Sequence, residues 1–344
     1  MKTKNEETFD LAAFGCLLKR KWYWFIISFV ICTIAFAVLY LTTPKTYKIE
    51  TFLQLRPEED AVLMPGTGFV QTTSQDMEAG DEKAVIISWD VINKAIAEQN
   101  LNVVYLKKHF LRWEEKSASQ SDLRATWTKE ALANLRFPLN IAVSVKDDAV
   151  LIQTKCGWEK AKYTIASLAE PWTSPEGFTI SARKELKPGD QYRVIISSVG
   201  FAANRFYEDF RTDYPKRSKH IVEIFATTKY PNNTIAIICK QIEVYNRVTI
   251  ARRQELAKQA VTAIESRIAE TPNSELKLLL MQRREEKIMA AESTVLPAVI
   301  ISSPHVTLET IYPSLEILAI FAFVLGIGLP LIVLYFLFVL RSQK

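Results

Sequence analysis

Few side chains in this sequence have the types and spacing needed for catalysis. Paired carboxylates can act as a general acid and a general base, and two such pairs occur, Asp147-Asp148 and Glu58-Glu59. Both pairs lie in stretches typical of turns and loops, which favours solvated carboxylates over acid–base work. The three histidines lack metal-ligand spacing to one another or to a cysteine. The sequence therefore predicts neither catalytic residues nor a bound metal.

Motifs that would bind a nucleotide or activate a nucleophile are also missing. No Gly-x-x-x-x-Gly-Lys-Ser/Thr loop occurs, and Gly66-Thr67-Gly68 stands alone, outside any Gly-x-Gly-x-x-Gly pattern. A Gly-x-Ser-x-Gly elbow is absent as well. Because an enzyme of a common class would show one of these motifs, we expect a non-enzymatic protein without a cofactor.

Two uncharged segments decide the class of protein. None of the 23 residues between Lys21 and Lys45 is charged, and neither is any of the 24 between Glu316 and Arg341. Each segment is long enough to cross a hydrocarbon layer of about 30 Å as a helix. The first is too long for a signal peptide, and Thr42-Thr43-Pro44-Lys45 is no cleavage site. Two membrane spans are therefore predicted.

The distribution of charge predicts the topology. Residues 1–42 carry five basic and three acidic side chains, with Lys19, Arg20 and Lys21 beside the first span. Such clusters stay on the cytoplasmic side, whereas long loops cross largely regardless of their charge. We expect a cytoplasmic segment (1–21), a first span (22–42), an external domain (43–316), a second span (317–340) and a cytoplasmic tail (341–344). The tail is too short for a kinase or receiver domain.

The external domain lacks the features of a nucleic-acid-binding surface. The protein has a net charge of +5, but residues 43–340 contain 36 basic and 35 acidic side chains. No basic stripe is interleaved with aromatic residues, so nucleic acid is excluded as a partner. Cys156 and Cys239 share this domain, and the sequence favours two separately buried thiols over a disulfide.

The first part of the external domain shows one clear strand and one clear helix. Alternation from Tyr47 to Leu55 predicts a strand with one buried face. Residues 57–80 are rich in Pro, Gly, Ser and acids, which is typical of an irregular loop. Asp81 could cap a following helix that ends near Gln99, with Ala84, Ile87, Val91, Ala95 and Ile96 at helical spacing.

The middle of the domain mixes strands and short helices. The spacing of Ala161, Ile165 and Leu168 predicts one short helix, and that of Phe206 and Phe210 predicts another. These elements predict an α+β domain, but the sequence does not reveal the order of its strands. The predicted strands are 139–145, 150–155, 177–183, 192–197 and 221–227.

A long helix is the most distinctive element. Residues 233–270 contain neither Pro nor Gly, and apolar side chains recur at helical spacing, so the helix would be nearly 60 Å long. A break at 271–275 and a return helix at 274–292 complete a helical hairpin. The apolar positions, including Ala260, Ile264 and Ile268, suggest burial against another copy, with packing against the chain's own domain as the alternative. The charged positions are interpreted as a solvated face.

Prolines and small residues near the second span are the candidate assembly residues. An apolar strand at 294–303 contains Pro297, and Pro304 and Pro313 would stiffen the return to the membrane. Within the span, Ala322, Gly326 and Gly328 would permit close helix packing in lipid. The complete predicted set is Pro297, Pro304, Pro313, Ala322, Gly326 and Gly328.

Several segments of this layout carry a family resemblance: Phe9-Asp10-Leu11, residues 17–22, residues 47–55, residues 84–101 with Ile87-Ser88-Trp89-Asp90-Val91-Ile92, the prolines 297, 304 and 313, and Gly326-Ile327-Gly328. In these segments the chain resembles the chain-length determinant proteins, or polysaccharide co-polymerases, of bacterial surface-polysaccharide assembly. The missing nucleotide loop argues against the members fused to a tyrosine kinase.

The resemblance implies a homo-oligomeric ring on the inner membrane with a periplasmic α+β domain and a protruding helical hairpin. It implies an inner-membrane polysaccharide polymerase as the partner, together with membrane lipid and the growing glycan. The expected role is to set the chain length of lipopolysaccharide O-antigen, capsule or exopolysaccharide. Two alternatives remain: a membrane-anchored sensor with a ligand pocket, and an export-system adaptor, against which the second span counts.

Overall fold

The computed structural model describes residues 18–56, 84–147, 149–213, 221–312 and 314–342. The chain divides into two compact units. The helical unit comprises Met1–Thr46, His109–Arg112 and Thr310–Lys344, and the α/β unit comprises Tyr47–Lys108 and Trp113–Glu309.

The helices of the described chain are α1 (Tyr23–Thr42), α2 (Trp89–Glu98), α3 (Lys129–Ala133), α4 (Val199–Asp209), α5 (Pro231–Glu270), α6 (Ser274–Glu292) and α7 (Leu315–Ser342). The strands are β1 (Thr46–Leu55), β2 (Val103–His109), β3 (Arg112–Lys116), β4 (Leu123–Trp127), β5 (Leu139–Val145), β6 (Val150–Cys156), β7 (Glu159–Ile165), β8 (Trp172–Thr173), β9 (Phe178–Ala182), β10 (Gln191–Ile196), β11 (Phe210–Asp213), β12 (Ile221–Thr228) and β13 (Ala298–Tyr312).

The helical unit contains two helices that are long and apolar enough to cross a membrane, Tyr23–Thr42 and Leu315–Leu337. The central helix of a soluble domain can be equally long and apolar, but such a helix would be mostly buried. Here no residue of the first helix is buried, and only 22% of an apolar 18-residue stretch of the second is. This exposure of apolar side chains is expected of helices surrounded by lipid. The protein is thus a mixed α/β chain with two candidate membrane helices near its ends.

The first sheet of the α/β unit has the order β11-β12-β1-β13. Alternate residues of β1 are buried, namely Ile49, Thr51, Leu53 and Leu55, which confirms the predicted strand with one buried face. Strand β12 pairs with it in antiparallel register. Buried side chains of α2, α4 and α5 complete this core, because each of these helices has one apolar face to cover.

Strand β13 differs from the prediction at both ends. It begins at Ala298, directly after Pro297, and continues through Pro304 to Tyr312 instead of ending near Ser303. A proline within a strand is tolerated here because β13 lies at the edge of its sheet, where one side needs no backbone donor.

The α/β unit has a second hydrophobic core, formed by a six-stranded sheet, β3-β2-β10-β5-β6-β7, and a three-stranded sheet, β4-β9-β8. Ile141, Ile152 and Val194 lie in this core. The helix predicted from Ala161 to Leu168 is wrong, because residues 159–165 form β7, which pairs with β6. The spacing of Ala161 and Ile165 fits both periods, and pairing with β6 selects the strand.

Two predicted helices differ from the structure at one end each. Helix α2 begins at Trp89, where the side chain of Ser88 accepts a hydrogen bond from the backbone N–H of Val91. Asp81, the predicted cap, lies outside the described residues. Helix α4 begins after Ser198, which caps it in the same way, and it ends before Phe210, the first residue of β11. Serine hydroxyls therefore set both starts.

Candidate assembly surfaces

The small residues of α7 meet α1 at one point of close approach. A Cβ atom placed on Gly326 would lie 3.1 Å from the Cα of Phe29, which is closer than nine in ten real Cβ contacts. Ala322, one turn earlier, is buried, at 7% exposure. A Cβ on Gly328 would meet nothing within 4 Å. The geometry therefore favours a glycine at 326 and shows no such preference at 328.

Aromatic side chains flank this point of contact. The rings of Phe29 and Phe323 lie edge to face, with centroids 6.4 Å apart. Such a pair is favourable because the positive edge of one ring meets the negative face of the other. Together with the close approach at Gly326, it holds the two candidate membrane helices against each other within a single chain.

The predicted prolines lie in other surroundings. Pro297 is buried, and its carbonyl accepts a hydrogen bond of 2.7 Å from the backbone N–H of Arg56. Pro304 lies within the edge strand β13, and Pro313 lies outside the described residues. Pro297 and Pro304 thus belong to the β13 segment, whereas the small residues belong to the helical unit.

The N-terminal half of α5 is held firmly by polar contacts. The side-chain amide of Asn246 donates to the carbonyl of Ala298 at 2.9 Å and accepts from its N–H at 2.8 Å. The buried amide of Gln241 donates to the carbonyl of Ile86 at 2.7 Å. Buried residues along α5 run from Thr234 to Ala257. These contacts fix the helix to both β13 and the chain before α2.

A carboxylate from a distant strand caps the start of α5. Glu115, in β3, accepts hydrogen bonds from the backbone N–H groups of Asn232 and Asn233 at 2.7 and 2.8 Å. Tyr230, the residue before the helix, supplies no side-chain cap, so Glu115 takes over that function. The guanidinium of Arg205 lies 5.1 Å from the centre of the Tyr230 ring.

The environment of Glu115 alters its proton affinity. Burial raises the pKa of its carboxyl to about 7, while the two backbone hydrogen bonds and the charge of Arg205 oppose the rise. Burial also lowers the pKa of Arg205. The long helix is thus capped by a carboxyl group that titrates near neutral pH.

This cap predicts a pH-dependent stability. The folded carboxyl holds its proton to a higher pH than the unfolded one, so its contribution to stability is fully present below the unfolded pKa. That contribution is lost as the pH rises through about 7. We expect the unfolding free energy of the native protein to fall, relative to Glu115→Gln, between pH 5 and pH 8, as measured by urea titration. A relative gain over this range would contradict the prediction.

Residues 258–292, hereafter the outer segment, differ from the rest of the long helical element. None of the residues of α6 is buried. The residues Ala260, Ile264 and Ile268 of the predicted stripe are half-buried, and α5 and α6 contact each other, so the chain's own helices cover part of it. Large apolar side chains remain exposed on or beside the segment, namely Leu256, Leu276, Leu278, Leu279, Met281 and Met289.

An apolar groove lies between α5 and the start of β13. It has a volume of about 750 Å³, and its walls include Ile242, Ile250, Leu296 and Ile300. Cys239, at its rim, is a free and exposed thiol, and the free thiol of Cys156 is half-buried. The expected burial is therefore wrong for Cys239, which lies on the outward face of α5, whereas Cys156 packs partly buried against the second core.

Catalytic groups do not converge within the described ranges. No set of three or more His, Cys, Asp or Glu side chains there could hold a metal ion. The most connected polar cluster joins Lys107 to Asp190 at 2.8 Å and to Asp122 at 3.3 Å, with the hydroxyl of Tyr192 donating to Asp190. Its ion pairs connect β2, β10 and the start of β4, so this cluster stabilises the arrangement of the strands.

Sequence reasoning missed Glu115, Gln241 and Asn246. Each acts on a partner far away in the chain, so no local spacing marks it: Glu115 is 117 residues from Asn232. One local signal does mark the start of α5, because Pro231 stands at its first turn, where a proline commonly begins a helix. The predicted start at residue 233 was therefore two residues late.

Comparison with known proteins yields little. No protein-family model matches the sequence, and no curated protein matches it either. Among solved structures, the chain is similar to a full-length bacterial polysaccharide co-polymerase, which it matches over 98% of its own length and 99% of that chain. The sequence identity is 8% and the TM-score 0.30, so this likeness carries no argument about fold or function.

Proposed function

We propose that the protein is a non-enzymatic inner-membrane regulator of bacterial surface polysaccharide, acting as an oligomeric co-polymerase that sets chain length. The polysaccharide would be lipopolysaccharide O-antigen, capsule or exopolysaccharide. The proposal rests on the sequence resemblance at both ends of the chain and on two candidate membrane helices. Its partners would be further copies of the chain, a polysaccharide polymerase in the same membrane and the growing glycan.

The observation that carries the proposal is the exposed apolar surface of the outer segment. Leu278 is 61% exposed and Met289 73% exposed, although both lie in a regular helix. Exposed apolar surface on a rigid element marks a site of association. The 40 residues of α5 span about 60 Å, which is long enough to contribute to an interface of standard size. A ring of identical subunits would cover this surface.

Assembly can be tested on the purified protein. Leu278→Glu places a charge on the exposed apolar surface without disturbing a buried contact, and we expect it to reduce the mass of the detergent-solubilised particle. Ser266→Glu, at an exposed polar position of α5, serves as the matched control and should leave the mass unchanged. A native particle of one or two chains would contradict the ring.

The cellular role needs a genetic test. Deleting the gene should broaden or shorten the length distribution of the surface glycan on a gel, and the native gene, supplied in trans, should restore it. The Leu278→Glu gene should restore it poorly, because an unassembled subunit cannot limit the polymerase. If deletion left the length distribution of the surface glycan unchanged, the proposed role in setting chain length would be wrong.

The proposed topology places both termini in the cytoplasm and the α/β unit in the periplasm. It is supported by the basic cluster Lys19 to Lys21 beside the first helix. Cys239 is exposed, so a membrane-impermeant thiol reagent should modify it in spheroplasts. Modification of Cys239 only after lysis would show that the α/β unit faces the cytoplasm instead.

One observation favours a second candidate function, a membrane-anchored receptor. The groove beside α5 has about 750 Å³, within the usual range of small-molecule sites, and is lined mainly by apolar side chains. A receptor would purify as a monomer or dimer and would retain a small apolar molecule detectable by mass spectrometry. The particle mass therefore separates the two functions.

A further inference from the structure

The turn between β2 and β3 presents two apolar side chains to its surroundings. Strand β2 ends at His109 and β3 begins at Arg112, which leaves Phe110 and Leu111 at the tip. Phe110 is 80% exposed and Leu111 is 43% exposed. The described chain offers little cover to either side chain.

The backbone makes phenylalanine an unusual choice at this position. Phe110 has a φ of 57°, in the left-handed region that favours glycine or asparagine in tight turns. A bulky side chain there costs conformational energy, and at 80% exposure it recovers little of that cost by packing. The residue preferences of tight turns therefore do not explain a phenylalanine at this position, and neither does packing in the protein core. Backbone strain that is retained without a packing contact indicates that the residue serves a function other than stabilising the fold.

The tip lies at one end of a candidate membrane helix. Residues His109–Arg112 belong to the same compact unit as α1 and α7. The Nε of Arg112 donates to the carbonyl of Leu41 at 3.0 Å, and its Nη2 donates to the carbonyl of Tyr40. The guanidinium also lies 4.8 Å from the centre of the Tyr40 ring.

These contacts locate the tip relative to the bilayer. Tyr40 and Leu41 lie in the last turn of α1, where backbone carbonyls lack partners within the helix. Arg112 supplies hydrogen bonds to two of them. Tyrosine and arginine both suit the boundary between hydrocarbon and headgroups, where a ring or aliphatic stem is covered and the polar end is hydrated. A residue bonded to this turn therefore lies at the membrane surface.

We propose that the β2–β3 turn is a membrane anchor that inserts Phe110 and Leu111 among the lipids next to the end of α1. Arg112 fastens the turn to the helix, and the two apolar side chains enter the region between headgroups and acyl chains. The ligand is the lipid surface surrounding α1. The inference rests on α1 spanning the membrane and is independent of any role in polysaccharide assembly.

The depth of the tip can be measured on the full-length protein. Phe110→Cys and Leu111→Cys are made in a chain whose four native cysteines are replaced by alanine, spin-labelled, and reconstituted in phosphatidylethanolamine–phosphatidylglycerol (3:1) vesicles. We expect both labels to be accessible to oxygen and protected from a water-soluble nickel complex, at a depth of roughly 5–10 Å below the headgroups. Glu185→Cys, at an exposed charged position, is the control and should show the aqueous pattern.

Two results would overturn the anchor. A Phe110 label as accessible to nickel as the Glu185 label would place the tip in water. A Phe110 label protected from both reagents would place it against protein, either another copy or a different part of the chain. If the cysteine-free chain does not fold, Phe110→Trp in the native chain gives an equivalent readout. Brominated lipids should then quench a larger share of the fluorescence of the Phe110→Trp protein than of the Glu185→Trp protein. Equal quenching of the two proteins would overturn the anchor.

Discussion

Replacing Gly326 with leucine is expected to destabilise the pairing of α1 and α7 by about 1–3 kcal/mol, the usual cost of forcing atoms into a packed contact. The physical reason is the backbone of Phe29, since a Cβ at 326 would lie 3.1 Å from its Cα. Backbone atoms cannot rotate away as a flexible side chain could, so the two helices must separate. Unfolding of the full-length protein by SDS in mixed micelles, followed by circular dichroism, would measure the loss.

Gly328→Leu is the matched control for this experiment. It lies in the same helix and gains the same helix propensity, about 1 kcal/mol relative to glycine, but a Cβ at this position would meet nothing within 4 Å. The difference between the two variants therefore isolates the contact with Phe29. Equal stability of the two variants would show that the helices do not approach each other at Gly326.

Asn246→Ala is expected to lower the stability of the α/β unit by about 2–4 kcal/mol. The buried side chain of Asn246 bonds both the N–H and the carbonyl of Ala298, and its removal leaves two buried backbone groups without these partners. Each such group costs about 1–3 kcal/mol. For a unit of this size, the loss corresponds to about 5–15 °C in the thermal midpoint, measurable by calorimetry.

Gln259→Ala provides the comparison on the same helix. The Gln259 amide donates to Glu255 on the exposed face, where water replaces the bond at little cost. We expect its midpoint to stay within about 2 °C of the native value, since exposed substitutions usually have small effects. A similar loss in both variants would indicate general destabilisation of α5 and would contradict the role assigned to the Asn246 contact.

Local patterns were sufficient to predict most of the regular elements. The alternation in β1 predicted its buried face because successive side chains in a strand point to opposite sides. The predicted strand 139–145 agrees with β5, and the predicted helix 274–292 agrees with α6. Prediction was wrong for β7, because Ala161 and Ile165, four residues apart, fit both a helix and a strand, and only the pairing with β6 distinguishes the two.

The sequence by itself determined the two uncharged segments, the long uninterrupted helix and the alternating strands, because each depends on the spacing of neighbours along the chain. Only the tertiary structure decided the order of the strands, the cap from Glu115, the contact of Gly326 with Phe29, and the strained, exposed Phe110 beside the end of α1. These features join residues that are far apart in the chain. Their free energies depend on distance and burial in space, which spacing along a sequence does not encode.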